Sequence, residues 1–356
     1  MSFLKKDYPW IQLPLITCAP MLFAATGELA AAVSAAGGIG FIGIGFKEED
    51  LETQLSQATR HFQTTHKDVK MATTSPEVLP VGVGFLNWGA NLDAALPAIK
   101  KHVPAAVWLF GVAKETMISV YGSWITRVRE VTGGCTKVWV QVGSVADALH
   151  MTVDMKDSNS VPDVLVLQGV DAGGHGLKHG AGIITLMPEV RDTLASKGFP
   201  DIPLIAAGGI SDGRGVAASL CLGADGICMG TRFLACSQTA ITQGYRNEIL
   251  RASDGGRSTV RSTVYDRVRG YVEWPEEYDG RGVTNQSYFD EQKGMEDEEN
   301  RKLYEAEKQK GDAGWGVGGR MTTYAGTGVG LVKTVESAEE IVRKTREEAK
   351  KIIKCD

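Results

Sequence analysis

Glycines follow two apolar segments in the second half of the chain. The segment Ile202–Gly209 ends in Gly208-Gly209, and the segment Gly226–Leu234 contains Gly230-Thr231. Backbone N–H groups that no side chain covers, next to the beginning of a helix, form a site for anions such as phosphate. Glycines that only turn a strand into a helix are the alternative interpretation. Their presence at the ends of two successive strands favours a phosphate site.

A histidine lies within a third glycine-rich run, Asp171–Gly176, which follows the apolar segment Asp163–Gly169. A loop histidine that faces a cofactor is a natural general base. A lone histidine more often has a structural role, but the flexible glycine-rich surroundings favour catalysis here. The sequence therefore predicts His175 as the catalytic residue, with His179 as a weaker candidate.

Two further patterns suggest chemistry that their surroundings do not support. Gly38–Gly43 has the spacing of a dinucleotide-binding loop, but a helix precedes it and the pattern itself is typical of a strand. Cys18 and Cys228 lie near strand ends without His or Asp in the pattern of a thiol nucleophile, so we expect buried apolar roles for both. The six cysteines include no CxxC pair and no histidine at zinc-binding spacing. No metal site is predicted.

Short apolar segments that alternate with amphipathic ones must position these residues. The apolar segments are rich in Val, Ile and Leu, which is typical of parallel strands buried on both faces. Eight such strands are predicted, at Leu13–Met21, Gly38–Gly45, Leu79–Leu86, Ala105–Gly111, Lys137–Gly143, Asp163–Gly169, Ile202–Gly209 and Gly226–Leu234. Helices are predicted at Gly27–Ala36, Leu51–His66, Asn91–Lys101, Thr116–Val131, Ser144–Met151, Pro188–Lys197 and Gly213–Leu222. Strict alternation predicts an α/β protein with a (β/α)₈ TIM barrel, whose active face lies at the carboxyl ends of the strands.

The alternation stops after the eighth strand. Arg251–Gly319 is polar and charged, and the helical pattern resumes only at Ser337–Lys354. We therefore expect barrel strands and the cofactor site in residues 1–250, a charged insertion in residues 251–319 and the closing barrel helix in residues 320–356. A separate domain is the alternative for the insertion.

Aromatic residues stand at both ends of the insertion, at Tyr271, Trp274, Tyr278 and Trp315. We expect these ends to pack beside the active site and limit substrate size, while the acidic centre stays in solvent. A surface elaboration used for oligomer contacts, or for no contact, is the alternative.

Composition excludes several classes of protein. The chain has 356 residues, a net charge of −5 and no basic stripe, which argues against nucleic acid as a partner. No segment approaches the roughly 20 apolar residues that span a bilayer. Met1–Trp10 has no secretion signal, so we expect a cytoplasmic protein with reduced cysteines, and a homo-oligomer is one expected assembly. Glycine is unusually frequent, at 43 residues, and clusters at strand ends.

Several motifs together resemble the nitronate monooxygenase family, formerly called 2-nitropropane dioxygenases. They are Pro14-Leu15-Ile16, Ala19-Pro20-Met21, Glu28–Ser34, Ala36–Gly40, Asp171–Gly176, Ala206–Ile210 with Asp212–Gly215, Gly223–Gly226 and Met229–Leu234. The resemblance covers residues 10–250 and 320–350 and leaves most of the insertion unmatched. The flavin-dependent enoyl-ACP reductases of bacteria share nearly all of these motifs, including the histidine, so the motifs identify the superfamily more firmly than the reaction.

The resemblance implies FMN as cofactor. It assigns the phosphate to Gly208, Gly209, Gly230 and Thr231. It places Gln168 and Gly173, with Gly174 beside them, along the ribityl chain or ring, and Cys228 and Met229 as backbone contacts. Met21 would support the flavin ring, and Gln141 is a weaker candidate for its pyrimidine edge. Many members have Gly-Val-Asn at the end of strand three where this chain has Gly82-Val83-Gly84, and Asn87 is a candidate replacement.

The implied reaction is oxidation of an alkyl nitronate by O₂ to a carbonyl compound and nitrite. His175 would orient the nitronate or remove the α-proton of a neutral nitroalkane. Two alternatives stay open at this point. One is a flavin-dependent enoyl-thioester reductase that uses NAD(P)H, and the other is a non-catalytic FMN-binding module whose acidic insertion binds a protein partner.

Overall fold

The computed structural model describes residues 3–65, 78–156 and 158–353. Its strands are Leu15–Cys18 (β1), Ile39–Gly45 (β2), Leu79–Leu86 (β3), Pro104–Phe110 (β4), Lys137–Val142 (β5), Val164–Gln168 (β6), Gly174–Leu177 (β7), Leu204–Ala207 (β8), Gly226–Met229 (β9), Thr259–Ser262 (β10) and Tyr278–Val283 (β11). Eight of them close a parallel barrel in the order β1-β2-β3-β4-β5-β6-β8-β9. The predicted TIM barrel is confirmed.

Three predicted strands extend two or more residues too far at the carboxyl end, and the first of them, predicted at Leu13–Met21, ends at Cys18. The strand predicted at Ile202–Gly209 ends at Ala207, because Gly208 and Gly209 take positive φ angles of 113° and 73° and turn the chain. The strand predicted through Leu234 ends at Met229, and Thr231–Leu234 forms one helical turn. The last two corrections place the glycines in turns at the active face.

Large aromatic rings fill the amino-terminal part of the barrel. Phe41 lies with its ring centroid 5.0 Å from those of Trp108 and Trp139. The Nε1 of Trp139 donates a 2.7 Å hydrogen bond to the hydroxyl of Tyr8, which precedes β1. The barrel is therefore packed solid at this end, and space for a ligand remains only towards the carboxyl ends of the strands.

Helices surround the barrel, and the apolar layer between helices and strands is buried. The helices are Phe3–Asp7, Gly27–Ala35, Leu51–Thr64, Leu92–His102, Met117–Thr132, Val145–Thr152, Ile183–Ser196, Gly213–Cys221, Thr231–Leu234, Gln243–Arg251, Gly255–Ser258, Val264–Arg267, Gln286–Gln292, Asp297–Lys308 and Ala338–Ile353. The helix predicted to begin at Pro188 begins at Ile183, because its buried stripe already includes Leu186. His66 and Lys354, predicted as helix ends, lie outside the described residues. Within the described residues, no helix is both long and apolar enough to cross a membrane.

The last helix, Ala338–Ile353, closes the ring of helices. Its Arg346 donates hydrogen bonds to the carbonyls of Pro14, Ala36 and Gly37 at 3.3, 3.1 and 2.8 Å, and burial lowers the pKa of its guanidinium to about 10. The end of the chain is thereby attached to the region of the first strand.

The insertion pairs with the segment that contains His175. Strand β11 lies between β10 and β7 in an antiparallel sheet outside the barrel, with Gly280 opposite His175. The prediction that His175 lies on a loop is therefore wrong. Glycine-rich segments such as β7 have low strand propensity, and only the pairing with β11 makes this one a strand.

Candidate active site

A cavity of about 470 Å³ opens at the carboxyl ends of the strands. Every predicted site residue except Met229 lines it, namely Met21, Gln168, Gly173, Gly174, His175, Gly208, Gly209, Cys228, Gly230 and Thr231. The Met229 side chain is fully buried in the layer between strands and helices, and its carbonyl accepts a 3.0 Å hydrogen bond from the amide of Ala19. The active face predicted from strand order thus brings the predicted residues into one space.

Glycines form a cradle at one end of this cavity. A Cβ on Gly208 would lie 2.9 Å from the carbonyl oxygen of Gly169, and one on Gly209 would lie 3.2 Å from the Cβ of Asp171. A Cβ on Gly230 would meet only ordinary contacts, 3.7 Å from Ala19 and 3.9 Å from the Met21 sulfur. Among the described residues, none accepts a hydrogen bond from the amides of Gly209 or Gly230. These amides have the chemistry of an anion site.

The helix Gly213–Cys221 was expected to contribute its N-terminus to the anion site, and the structure corrects this. Asp212 caps the helix through the amides of Arg214 and Gly215 at 2.9 and 3.3 Å. The amide of Gly213 donates to Glu348 at 3.1 Å. Protein carboxylates therefore already satisfy the first N–H groups of this helix. The glycine turns, rather than the helix, are left to bind an anion.

A second glycine-rich segment, residues 326–328, completes the cradle, and its role was missed from the sequence. The amide of Gly326 donates to the hydroxyl of Thr231 at 3.0 Å, and Ser211 donates to the carbonyl of Gly328 at 3.3 Å. Glycine is needed at 326 because a Cβ there would lie 2.5 Å from the carbonyl oxygen of Asp171. The clustered glycines after Tyr324 were the signal that could have identified this segment.

Two glutamine side chains and a buried thiol line the cavity at the ends of the strands. Gln141 accepts a 3.0 Å hydrogen bond from Trp108, and Gln168 donates a 2.9 Å bond to the carbonyl of His175. Burial raises the pKa of the Cys228 thiol to about 12, which confirms its interpretation as an unreactive group. Asn87 does not line the cavity, because its Oδ1 accepts a 2.9 Å hydrogen bond from the amide of Phe110. It therefore gives no support to the idea that it replaces an asparagine at strand three.

A carboxylate contacts one edge of the His175 imidazole, and an aromatic ring stacks on one of its faces. Its Nε2 lies 2.9 Å from both carboxylate oxygens of Asp266. The Trp274 indole stacks on the imidazole with a centroid distance of 3.8 Å and an interplanar angle of 7°. The Tyr324 hydroxyl donates a 2.7 Å hydrogen bond to Asp266, and burial raises the pKa of Tyr324 well above its ordinary value. Asp266 and Tyr324 were missed from the sequence because no local motif connects them to His175, which lies 91 positions from Asp266 and still further from Tyr324.

One basic side chain lines the cavity within the described residues. The guanidinium carbon of Arg269 lies 5.0 Å from the ring centroid of Tyr271 and 5.5 Å from that of Tyr324. Such cation–π contacts hold the charge in place but leave its N–H groups able to bind an anion.

Aromatic side chains form another part of the cavity wall. Phe46 and Trp88 have ring centroids 4.9 Å apart, and Trp88 and Trp274 have theirs 5.5 Å apart. Tyr271 and Trp315 also line the cavity, whereas the Tyr278 hydroxyl donates a 3.2 Å hydrogen bond to the carbonyl of Val112.

The acidic run Glu296–Glu299 is exposed, as expected, but the helix Asp297–Lys308 is not wholly in solvent. Tyr304 lines the cavity, and Asn300 is 1% exposed and donates a 2.8 Å hydrogen bond to the carbonyl of Ser287. Removing residues 293–310 would therefore open the cavity wall, and we expect it to change activity.

The whole chain matches a known family. The model described as nitronate monooxygenase matches residues 4–348. The chain belongs to the nitronate monooxygenase family. Nitronate monooxygenase npaC of Metarhizium robertsii is 44% identical over 351 residues, which cover 98% of this chain and 95% of that relative. A nitronate monooxygenase of Neurospora crassa is 36% identical over 377 residues, which cover 99% and 94%.

Family membership corrects one expectation and supports another. The match includes residues 251–319, so the insertion is part of the family pattern and not an unmatched addition. Membership in the nitronate monooxygenase family also indicates an oxidoreductase with a flavin cofactor.

Two solved structures share the fold. FabK from Thermotoga maritima matches with a TM-score of 0.70 at 24% identity, covering 99% of this chain and 97% of that one. Nitroalkane oxidase from Streptomyces ansochromogenes matches with a TM-score of 0.69 at 22% identity, covering 98% of each chain. At this identity the likeness shows the barrel alone.

Proposed function

We propose that this chain is an FMN-dependent nitronate monooxygenase, which oxidises alkyl nitronates with O₂ to a carbonyl compound and nitrite. The observation that carries the proposal is the shared cavity, which places the glycine cradle and His175 around one space. The relative from Metarhizium robertsii, 44% identical and named for this activity, supports the same conclusion.

The lining residues fit a flavin mononucleotide. Gly208, Gly209 and Gly230 would hold the phosphate with backbone that no side chain covers, and Thr231 would complete the site beside them. Gln168, Gly173 and Gly174 would follow the ribityl chain or ring. Met21, which follows β1, and Cys228 of β9 would contact the ring. The buried Met229 contributes through its backbone only. When bound, FMN supplies the electron-accepting chemistry that no side chain here provides.

The substrate would lie beside His175 and the rings of Trp88 and Phe46, because Trp274 stacks directly on the imidazole and leaves no space between those two rings. A nitronate is already an anion and needs only to be oriented, whereas a neutral nitroalkane must first lose its α-proton. His175 is the residue we assign to both tasks, and Arg269 is the positive charge available to the nitronate. The rings of Trp88, Trp274 and Phe46 keep this end of the cavity apolar and limit the entry of water.

The insertion is, in this proposal, one wall of the active site and not a separate domain. Asp266, Trp274 and Tyr304 come from residues 251–319, and all three line the cavity. Substrate size would then be limited by this wall, as the aromatic residues at its ends led us to expect.

The test is to reconstitute the protein with FMN and to measure O₂ consumption and nitrite release with propionate-3-nitronate. We expect one FMN per chain and stoichiometric nitrite. Anaerobic flavin spectra with the nitronate and, separately, with NADPH distinguish the alternatives. Rapid bleaching by NADPH with no nitrite formation would favour the enoyl-thioester reductase, and the absence of turnover with either compound would favour a binding module.

A further inference from the structure

Asp266 is a buried carboxylate with few partners. Its residue is 4% exposed, and its oxygens contact two side-chain groups, the Nε2 of His175 and the hydroxyl of Tyr324. An ionised carboxylate only accepts hydrogen bonds, so both neighbours must donate to it. The Nε2 of His175 therefore carries a proton.

The other ring nitrogen of His175 is then the basic one. A neutral imidazole has one N–H and one lone pair, and the lone pair belongs to Nδ1 when Nε2 is protonated. Among the described residues Nδ1 has no hydrogen-bond partner. It is not fully buried either, so it is at least partly exposed. Because His175 lines the cavity, Nδ1 is accessible from the substrate space.

The surroundings keep the ring in this orientation. Trp274 covers one face of the imidazole, and Gly280 on the paired strand leaves space beside it, since a Cβ there would lie 3.5 Å from Nε2 and 2.7 Å from the Tyr324 ring. The Arg269 guanidinium lies over the Tyr324 ring. Asp266, Tyr324 and Arg269 are thus titratable groups of this cluster. Asp266 hydrogen-bonds the imidazole, and the Tyr324 ring lies beside it with a centroid distance of 5.2 Å.

We propose that Asp266 is the positioning residue for His175. It fixes the tautomer that leaves the Nδ1 lone pair for the substrate, and it stabilises the imidazolium that forms when His175 takes a proton. This inference rests on the proposed function. In the step concerned, the α-carbon–hydrogen bond of a nitroalkane breaks, its electron pair stays on the substrate to give the nitronate, and the proton bonds to Nδ1. Asp266 keeps its hydrogen bond with Nε2 throughout.

An Asp266→Asn variant should invert the tautomer. Oδ1 accepts the hydrogen bond from the Tyr324 hydroxyl. The amide nitrogen of the asparagine therefore takes the place of Oδ2 and donates to Nε2. Nδ1 would then carry the proton and could not accept another. We expect kcat/KM for a neutral nitroalkane to fall about 10²-fold or more, as for loss of a general base, while the matching nitronate loses less than about tenfold. Asp266→Glu, which keeps a carboxylate, should lose less of the kcat/KM for the nitroalkane than Asp266→Asn does.

The His175→Asn background separates positioning from structure. There Asp266→Asn should have no further effect on nitroalkane turnover, because the residue on which it acts is gone. A further loss in that background, or an equal loss for nitroalkane and nitronate in the single variant, would overturn the proposal. Asp290→Asn is the matched control, since Asp290 is a buried insertion carboxylate that pairs with Arg320, away from the cavity. Its ratio of nitroalkane to nitronate turnover should stay at the wild-type value.

Nitrogen NMR of labelled histidine gives a readout independent of activity. The wild-type FMN-loaded protein should show His175 protonated at Nε2, and Asp266→Asn should lose that signature. A wild-type His175 protonated only at Nδ1 would contradict the inference even if turnover agreed. If the protein oxidised no nitronate but showed the Nε2–H tautomer, the proposed function would fail and the Asp266–His175 assignment would stand.

Discussion

Replacing Gly230 by Val tests the phosphate cradle with little disturbance of the fold. The φ of Gly230 is −104°, which any residue can adopt, and its Cβ would meet only Ala19 and Met21 at 3.7 and 3.9 Å. The folded chain therefore accommodates a side chain here, but the side chain occupies the space assigned to phosphate. A hydrogen bond to a charged group contributes about 1.5–3 kcal/mol, so displacing one phosphate contact should weaken FMN binding about 10- to 150-fold.

The assay is a titration of apoprotein with FMN, followed by quenching of flavin fluorescence, together with a thermal melt of the apoprotein. Gly230→Val should melt within a few degrees of the wild type but bind FMN more weakly. Gly256→Val is the control, because a Cβ there has no heavy atom within 4 Å. Gly209→Val should lose both binding and stability, since its φ of 73° strains any side chain. An FMN dissociation constant within twofold of wild type for Gly230→Val would refute the cradle assignment.

Three further predictions follow from the same geometry. Arg269→Met should raise KM for propyl-1-nitronate about tenfold or more and change KM for the neutral 1-nitropropane less, measured by nitrite release; equal changes would contradict an anion-binding role. Cys228, with a pKa of about 12, stays a protonated thiol at pH 8 and should resist iodoacetamide in the folded protein while the exposed Cys135 is alkylated, as checked by peptide mass spectrometry. Labelling of Cys228 at the rate of Cys135 would show that it is not enclosed. Gly280→Ala should cost about 1–3 kcal/mol of unfolding free energy in urea, because its Cβ lies 2.7 Å from the Tyr324 ring; an unchanged midpoint would show that the ring moves freely.

The barrel and its cofactor face could be predicted because their signals are local. Val-, Ile- and Leu-rich strands with glycines at their ends have a fixed spacing, and the barrel rule then brings the ends of β8 and β9 together. Gly208 and Gly230 were found in this way without any contact information. The correction at the helix Gly213–Cys221 shows the limit of the rule, because the carboxylates that cap its N-terminus come from Asp212 and from the distant Glu348.

The catalytic surroundings could not be predicted because they depend on pairing between distant segments. β7 is a strand only because β11 lies beside it, and β11 itself contains Gly280 and Gly282 and has little intrinsic strand propensity. Asp266 lies in a single helical turn and Trp274 in a segment without regular structure, and the position of both depends on that sheet. The aromatic residues at the ends of the insertion were the available signal, and they indicated an active-site wall without indicating which side chain would contact His175.

The sequence motifs belong to the predicted cofactor site and not to the surroundings of His175, so the motifs alone could not identify the reaction. Glycine turns that bind a phosphate serve any enzyme with the same cofactor, so they do not distinguish oxidation of a nitronate from reduction of an enoyl thioester. The distinguishing groups must be those that face the substrate. Of the side chains that line the cavity, Asp266, Arg269 and Trp274 come from the insertion, so we expect the insertion to contribute to this distinction. Trp274 both stacks on His175 and lines the cavity, so a Trp274→Ala variant would change the orientation of the base and the size of the cavity together. Selectivity and proton transfer therefore share one residue, and a change in chain-length preference can be attributed to cavity size only when His175 keeps its tautomer.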